Sequence, residues 1–64
     1  MPGVETNRAK VVARLGRDGW ILLRHGGEHD VYGHPRKVGV VIVPRHRTLS
    51  PGVARSIAKA AGWI

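Results

Sequence analysis

Apolar side chains along the first part of the chain recur at helical spacing. Val4, Val11, Val12 and Leu15 fall on one stripe of a helix over residues 5–18, with Lys10, Arg14 and Arg17 on the opposite side. Thr6 is placed to cap its start through its hydroxyl, and Gly19 to end it in the left-handed conformation. Gly16, inside the helix, costs about 1 kcal/mol relative to alanine. The period then changes from helical to alternating. Residues 20–25 read as a strand, with Trp20, Leu22 and Arg24 on one face and Ile21, Leu23 and His25 on the other. Gly26 and Gly27 supply a turn. Residues 28–34 form a second strand, His29, Val31 and Gly33 facing one way and Asp30, Tyr32 and His34 the other. Pro35, Arg36 and Lys37 make the next turn, and the β-branched run over 38–43 is the third strand.

Ser50 followed by Pro51 is a helix start, a capping hydroxyl before a residue that needs no backbone donor. The helix runs to about Ala61, with Val53, Ala54, Ile57, Ala60 and Ala61 inward and Arg55 and Lys59 outward. Gly62 stops it, and Trp63 and Ile64 fold back on the core. The order is αβββα, and short connections make the strands an antiparallel meander. The fold class expected is α+β: a three-stranded antiparallel sheet with two helices packed on one face, the element order of the double-stranded RNA-binding domain. Residues 1–64 make a single domain with a thin core.

Composition narrows the chemistry. The chain has no cysteine, which excludes disulfides, thiol nucleophiles and cysteine-ligated metal, and fits a reducing cytosol. Val40 to Val43 is as long as any uninterrupted apolar run, so no bilayer span and no signal peptide is expected, and no membrane partner. The net charge of +7, and a pI near 11.6, come mostly from arginine, whose planar fork suits phosphate. The cations are spread through the folded body rather than gathered in a tail, and nucleic acid is the partner this balance favours. Neither helix carries the dense Arg and Asn face that enters a major groove, so no DNA contact is expected of the chain alone.

Four histidines are the groups that titrate near neutral pH. His25, His29, His34 and His46 have no metal-ligand spacing, and Ser50 and Ser56 sit in no nucleophile motif, so no metal and no cofactor is expected. RNA cleavage asks for less. The 2′-hydroxyl is a built-in nucleophile; the protein need only take its proton, protonate the leaving 5′ oxygen and steady the charged phosphorane. One histidine with cations around it can do this.

The residues Gly19-Trp20, Arg24, Gly27-Glu28-His29, Tyr32, His34-Pro35, Val43-Pro44-Arg45-His46, Pro51-Gly52, Arg55-Ser56-Ile57 and Ala61-Gly62 resemble, in order and spacing, the HicA family of toxins from toxin–antitoxin pairs. The likeness runs over nearly the whole chain. It implies an αβββα fold of the double-stranded RNA-binding type and a cytoplasmic endoribonuclease that cleaves mRNA, held silent by a HicB-type antitoxin covering the active-site histidine. The family's Gly-Ser-His tripeptide falls on Gly27-Glu28-His29, so His29 takes the catalytic position, as general acid or base, and Glu28 stands where the family has serine. Arg24, Arg36, Lys37, Arg45 and Arg47 are the candidate phosphate contacts, with Gly26 and Gly27 leaving room for RNA backbone. Tyr32 reads as a half-buried strand residue rather than a base-stacking one, and Trp20 and Trp63 belong to the core. The alternatives are a non-catalytic RNA-binding module of the double-stranded RNA-binding type, and an interaction protein whose basic surface meets only an acidic antitoxin.

Overall fold

The computed structural model describes residues 4–64. Its elements are α1 (Arg8–Arg17), β1 (Ile21–His25), β2 (His29–His34), β3 (Lys37–Pro44) and α2 (Pro51–Ala60). The strands form one antiparallel sheet in the order β1-β2-β3. Tyr32, Val41 and Val43 on one face of that sheet join Val11 and Leu15 of α1, Ala54 and Ile57 of α2, and Trp20, Leu49 and Ala61 in a single core. Both helices therefore cover the same face, as expected for αβββα. Burying an aliphatic side chain such as Leu15 or Val43 contributes about 1.5–3 kcal/mol, which ties each element to this one cluster. Among the described residues, no helix is long and apolar enough to cross a membrane.

Several local expectations are corrected. The first helix begins at Arg8, not residue 5, and its cap is Asn7 rather than Thr6: the Asn7 side chain accepts from the Lys10 N–H at 3.1 Å. Thr6 is drawn into an extended pairing with the segment before α2. Its carbonyl accepts from the Leu49 N–H at 2.8 Å, and Asn7 bridges Thr48, so the chain cannot turn helical sooner. In α2, Ala58 is buried and Ala60 exposed, which shifts the inward stripe by a fraction of a turn. Gly19 and Gly62, at φ +92° and +83°, end the two helices in the left-handed region, as expected. Trp63 folds back; its indole donates to Asp18 Oδ2 at 2.7 Å and lies under the Arg14 guanidinium, 4.2 Å from the ring centroid. Ile64 stays exposed.

The most consequential correction is in β1. Its pairing with β2 slips between Leu22, opposite Tyr32, and Arg24, opposite Val31. Leu23 is the extra residue of a β-bulge and packs over Gly33, where an added Cβ would come within 2.6 Å of it. Strict alternation puts Arg24 with Leu22 and His25 with Leu23. The bulge instead turns Arg24 to the open face with Val31, and His25 to the helix-covered side opposite Asp30.

Candidate functional site

The elements share two ends. At one, α1 begins, β1 finishes, β2 begins and β3 finishes: Arg8 Nε donates to the Pro44 carbonyl at 2.7 Å, and Pro44 pairs with His29. At the other, α1 and α2 finish beside the β2–β3 turn. There Lys37 Nζ donates to the Ala61 carbonyl at 3.1 Å, filling an acceptor the helix end leaves open. The two ends are separated by the length of β2, roughly 17 Å at ~3.3 Å per residue.

The first end is organised around Asp30. Its carboxylate lies under the sheet edge, 6% exposed, and is held from three directions. Arg8 Nη2 of α1 donates to Oδ2 at 2.8 Å, and Arg45, just past β3, donates to Oδ1 through Nε at 3.2 Å and Nη2 at 3.0 Å. His25 Nδ1 of β1 stands 2.9 Å from Oδ1. Burial opposes ionisation, but the Arg45 hydrogen bonds and charge, then His25 and Arg8, outweigh it and hold the Asp30 carboxyl below its ordinary value of 3.8. A carboxylate with a lowered native value stabilises the fold fully above its unfolded value and loses that contribution as pH falls through the native one. The thermal midpoint is therefore expected to fall as the solution is acidified below pH 3.8. Asp30→Asn is expected to melt lower at neutral pH and to converge on the wild type in acid, as followed by circular dichroism. Parallel pH curves for the two proteins would contradict the assignment.

His29 alternates with Asp30 and so occupies the open face of the sheet, exposed and without a side-chain partner among the described residues. Arg24 shares that face. So do Ile21, Leu23, Val40 and Ile42, which are 47–61% exposed and make an uncovered apolar surface: Ile42 lies opposite Val31, and the other three gather around Gly33, toward the far end. The β1–β2 tip is nearly bare. The Gly26 N–H donates to the His29 carbonyl at 3.0 Å, and a Cβ on Gly26 would come within 2.6 Å of that oxygen, whereas Gly27 faces open space. Glu28 is exposed in the same turn. Its carbonyl accepts from the Arg45 N–H at 3.0 Å, and its carboxylate makes no hydrogen bond or ion pair among the described residues. A cleft of about 450 Å³ between the start of α1 and the segment after β3 is lined by Asn7, Arg8, Ala9, Arg45 and Arg47.

Of the residues singled out in the sequence, His29, Arg24, Gly26, Gly27, Arg45 and Arg47 come together at this end. Arg36 and Lys37 do not: both sit at the far end, and Lys37 is spent on the α2 terminus, with its ammonium 5.7 Å from the Trp20 ring centroid. His34 is also at the far end. Its Nδ1 accepts from the Arg36 N–H at 3.0 Å, so Nε2 carries the proton and donates to the Asp18 carbonyl at 2.9 Å. Tyr32 is buried in the core, deeper than the half-buried strand residue expected. Sequence reasoning missed Arg8, His25 and Asp30 as a unit. The signal was available for Asp30, since it shares a strand face with Tyr32, and an acid buried beside a core residue needs cationic partners. Among the described residues, no three His, Cys, Asp or Glu side chains gather as metal ligands would.

A family model, that of the HicA toxin of bacterial toxin–antitoxin pairs, matches residues 8–63 of the 64. No curated protein matches the chain.

Proposed function

The chain belongs to the HicA toxin family, and we propose that it acts as an endoribonuclease cleaving mRNA, with His29 as a general acid–base group. The observation that carries the reading is the position of His29. It is an exposed imidazole on the open sheet face, with Arg24 on the same face and with Arg45 and Arg47 at the same end of the fold. α1 begins at this end and α2 points its start the same way, neither with an acid in its first turn, so their positive dipole ends add to the field. RNA backbone laid across the bare glycine tip would meet His29, with the arginines on either side to hold its phosphates. The far-end Arg36 and Lys37 would stay clear of the substrate.

The same face suits the expected antitoxin. The uncovered Ile21, Leu23, Val40 and Ile42 extend along the open face away from His29, the kind of apolar surface a protein partner buries. A HicB-type partner seated there would cover His29 and silence it. In this reading residues 1–64 are one toxin domain acting in the cytoplasm on RNA, with no cofactor. Glu28, in place of the family's serine, puts an exposed carboxylate at the tip, without an ion-pair partner among the described residues.

The track is tested by RNA binding in a His29→Ala background, which separates affinity from cleavage. Arg47→Gln is expected to weaken binding of a short RNA and to lower the magnitude of the salt slope by about one, as the loss of one phosphate contact would. Arg36→Gln is expected to leave both unchanged. The reverse pattern, read by fluorescence anisotropy, would place RNA at the other end of the sheet. Binding by the wild type with no cleavage would favour the non-catalytic module.

A further inference from the structure

We propose that His25 is the second acid–base residue of this site, giving a proton to the departing 5′ oxygen while His29 takes the proton of the 2′-hydroxyl. The inference rests on the nuclease reading above and adds the partner that a single histidine leaves unfilled.

Three observations lead to it. The first is the bulge between Leu22 and Arg24, which turns His25 from the open face to the side of Asp30. Bulges often re-aim a side chain near a functional site. The second is the contact this produces. His25 Nδ1 is held 2.9 Å from Asp30 Oδ1 while the side chain remains 67% exposed. Asp30 is itself fixed by Arg8 from α1 and Arg45 from beyond β3, so the imidazole is steadied from one nitrogen and left free at Nε2. Those three groups are the charges that face His25 from the elements packed around it. A carboxylate on one ring nitrogen sets which nitrogen does the chemistry.

The third observation is placement. His25 lies opposite Asp30 in the strand register, and His29 directly precedes Asp30, so the two histidines flank one hairpin tip from opposite faces. Between them are Gly26, Gly27 and Glu28, and the two glycines present no side chain. Displacement at phosphorus in line requires the attacking and leaving oxygens on opposite sides. A base on one face of the tip and an acid on the other meet that requirement for a phosphate resting over the glycines.

The step balances. The 2′ oxygen forms a bond to phosphorus as its proton passes to the His29 imidazole. The bond from phosphorus to the 5′ oxygen breaks as the proton on His25 Nε2 passes to that oxygen. The products are a 2′,3′-cyclic phosphate and a 5′-hydroxyl, and exchange with water resets both rings.

The test uses the purified full chain and two substrates, a short RNA and a uridine 3′-phosphate ester carrying p-nitrophenol as leaving group. p-Nitrophenolate departs without a proton. His25→Ala is therefore expected to slow RNA cleavage by about 10²–10⁴-fold and to leave p-nitrophenol release nearly unchanged. His29→Ala is expected to slow both. His25→Gln, which can still reach Asp30, is expected to lose RNA cleavage as fully as His25→Ala. His25→Ala cleaving RNA at the wild-type rate, or losing both substrates equally, would overturn the proposal while leaving the nuclease reading intact. A wild type inert on both substrates would instead remove the nuclease reading and this proposal with it.

Discussion

Replacing His29 with alanine is expected to lower RNA cleavage by about 10²–10⁴-fold, the range general acid–base catalysis supplies, with the fold unchanged. The side chain is exposed on the open face and makes no hydrogen bond among the described residues, so its removal leaves no cavity and orphans no partner. The neighbouring backbone contacts, from the Gly26 N–H to the His29 carbonyl and across β2 to Pro44, do not involve the ring. A melting curve that overlays the wild type, together with lost cleavage, separates chemistry from structure. A variant that cleaves at the wild-type rate would move the chemistry to another residue of the same end.

The largest stability effect is expected at Leu15. It is fully buried where α1 meets the sheet and α2, in contact with the cluster that holds Trp20, Tyr32 and Val43. Leu15→Ala removes that packing and leaves a cavity, a change that costs about 2–5 kcal/mol. At ~0.05–0.15 kcal/mol per residue, a domain of this length has only about 3–10 kcal/mol in all. Leu15→Ala should therefore lower the urea midpoint steeply and carry activity down with it, in contrast to His29→Ala. A midpoint within experimental error of the wild type would show that α1 is not seated on this core.

The architecture was largely legible because each element announces itself locally. The β2 alternation placed His29 and Asp30 on opposite faces correctly, and Ser50-Pro51 and Gly62 marked the ends of α2. What escaped were features set by distant partners. Asn7 takes the cap because Thr6 pairs with Leu49, more than forty residues away in sequence. Leu49 itself, 2% exposed, was not among the expected core residues. Its position directly before the Ser50 cap, with Ala54 buried a turn later, is the pattern of a hydrophobic staple and was the available signal.

The candidate site was legible in part for the same reason. Gly26 and Gly27, near His29 in sequence, lie at the same end of the fold, as do Arg45 and Arg47, which follow β3 where it pairs with the start of β2. Arg36 and Lys37 were included on charge alone, and charge does not tell the two ends of a hairpin apart. The bulge that brings His25 to Asp30 left no mark in the apolar pattern, since Ile21, Leu22 and Leu23 are all apolar and hide the slip. The Asp30 cluster joins α1, β1, β2 and the segment after β3, so it exists only once the fold is assembled.

The most direct test of the central claim is the chemistry of the cut ends. A short RNA is incubated with the purified chain in the presence of EDTA, and the products are resolved by mass. The 2′-hydroxyl mechanism built on His29 predicts fragments ending in a 2′,3′-cyclic phosphate and fragments beginning with a 5′-hydroxyl. Fragments with a 3′-hydroxyl and a 5′-phosphate, or intact RNA, would contradict it.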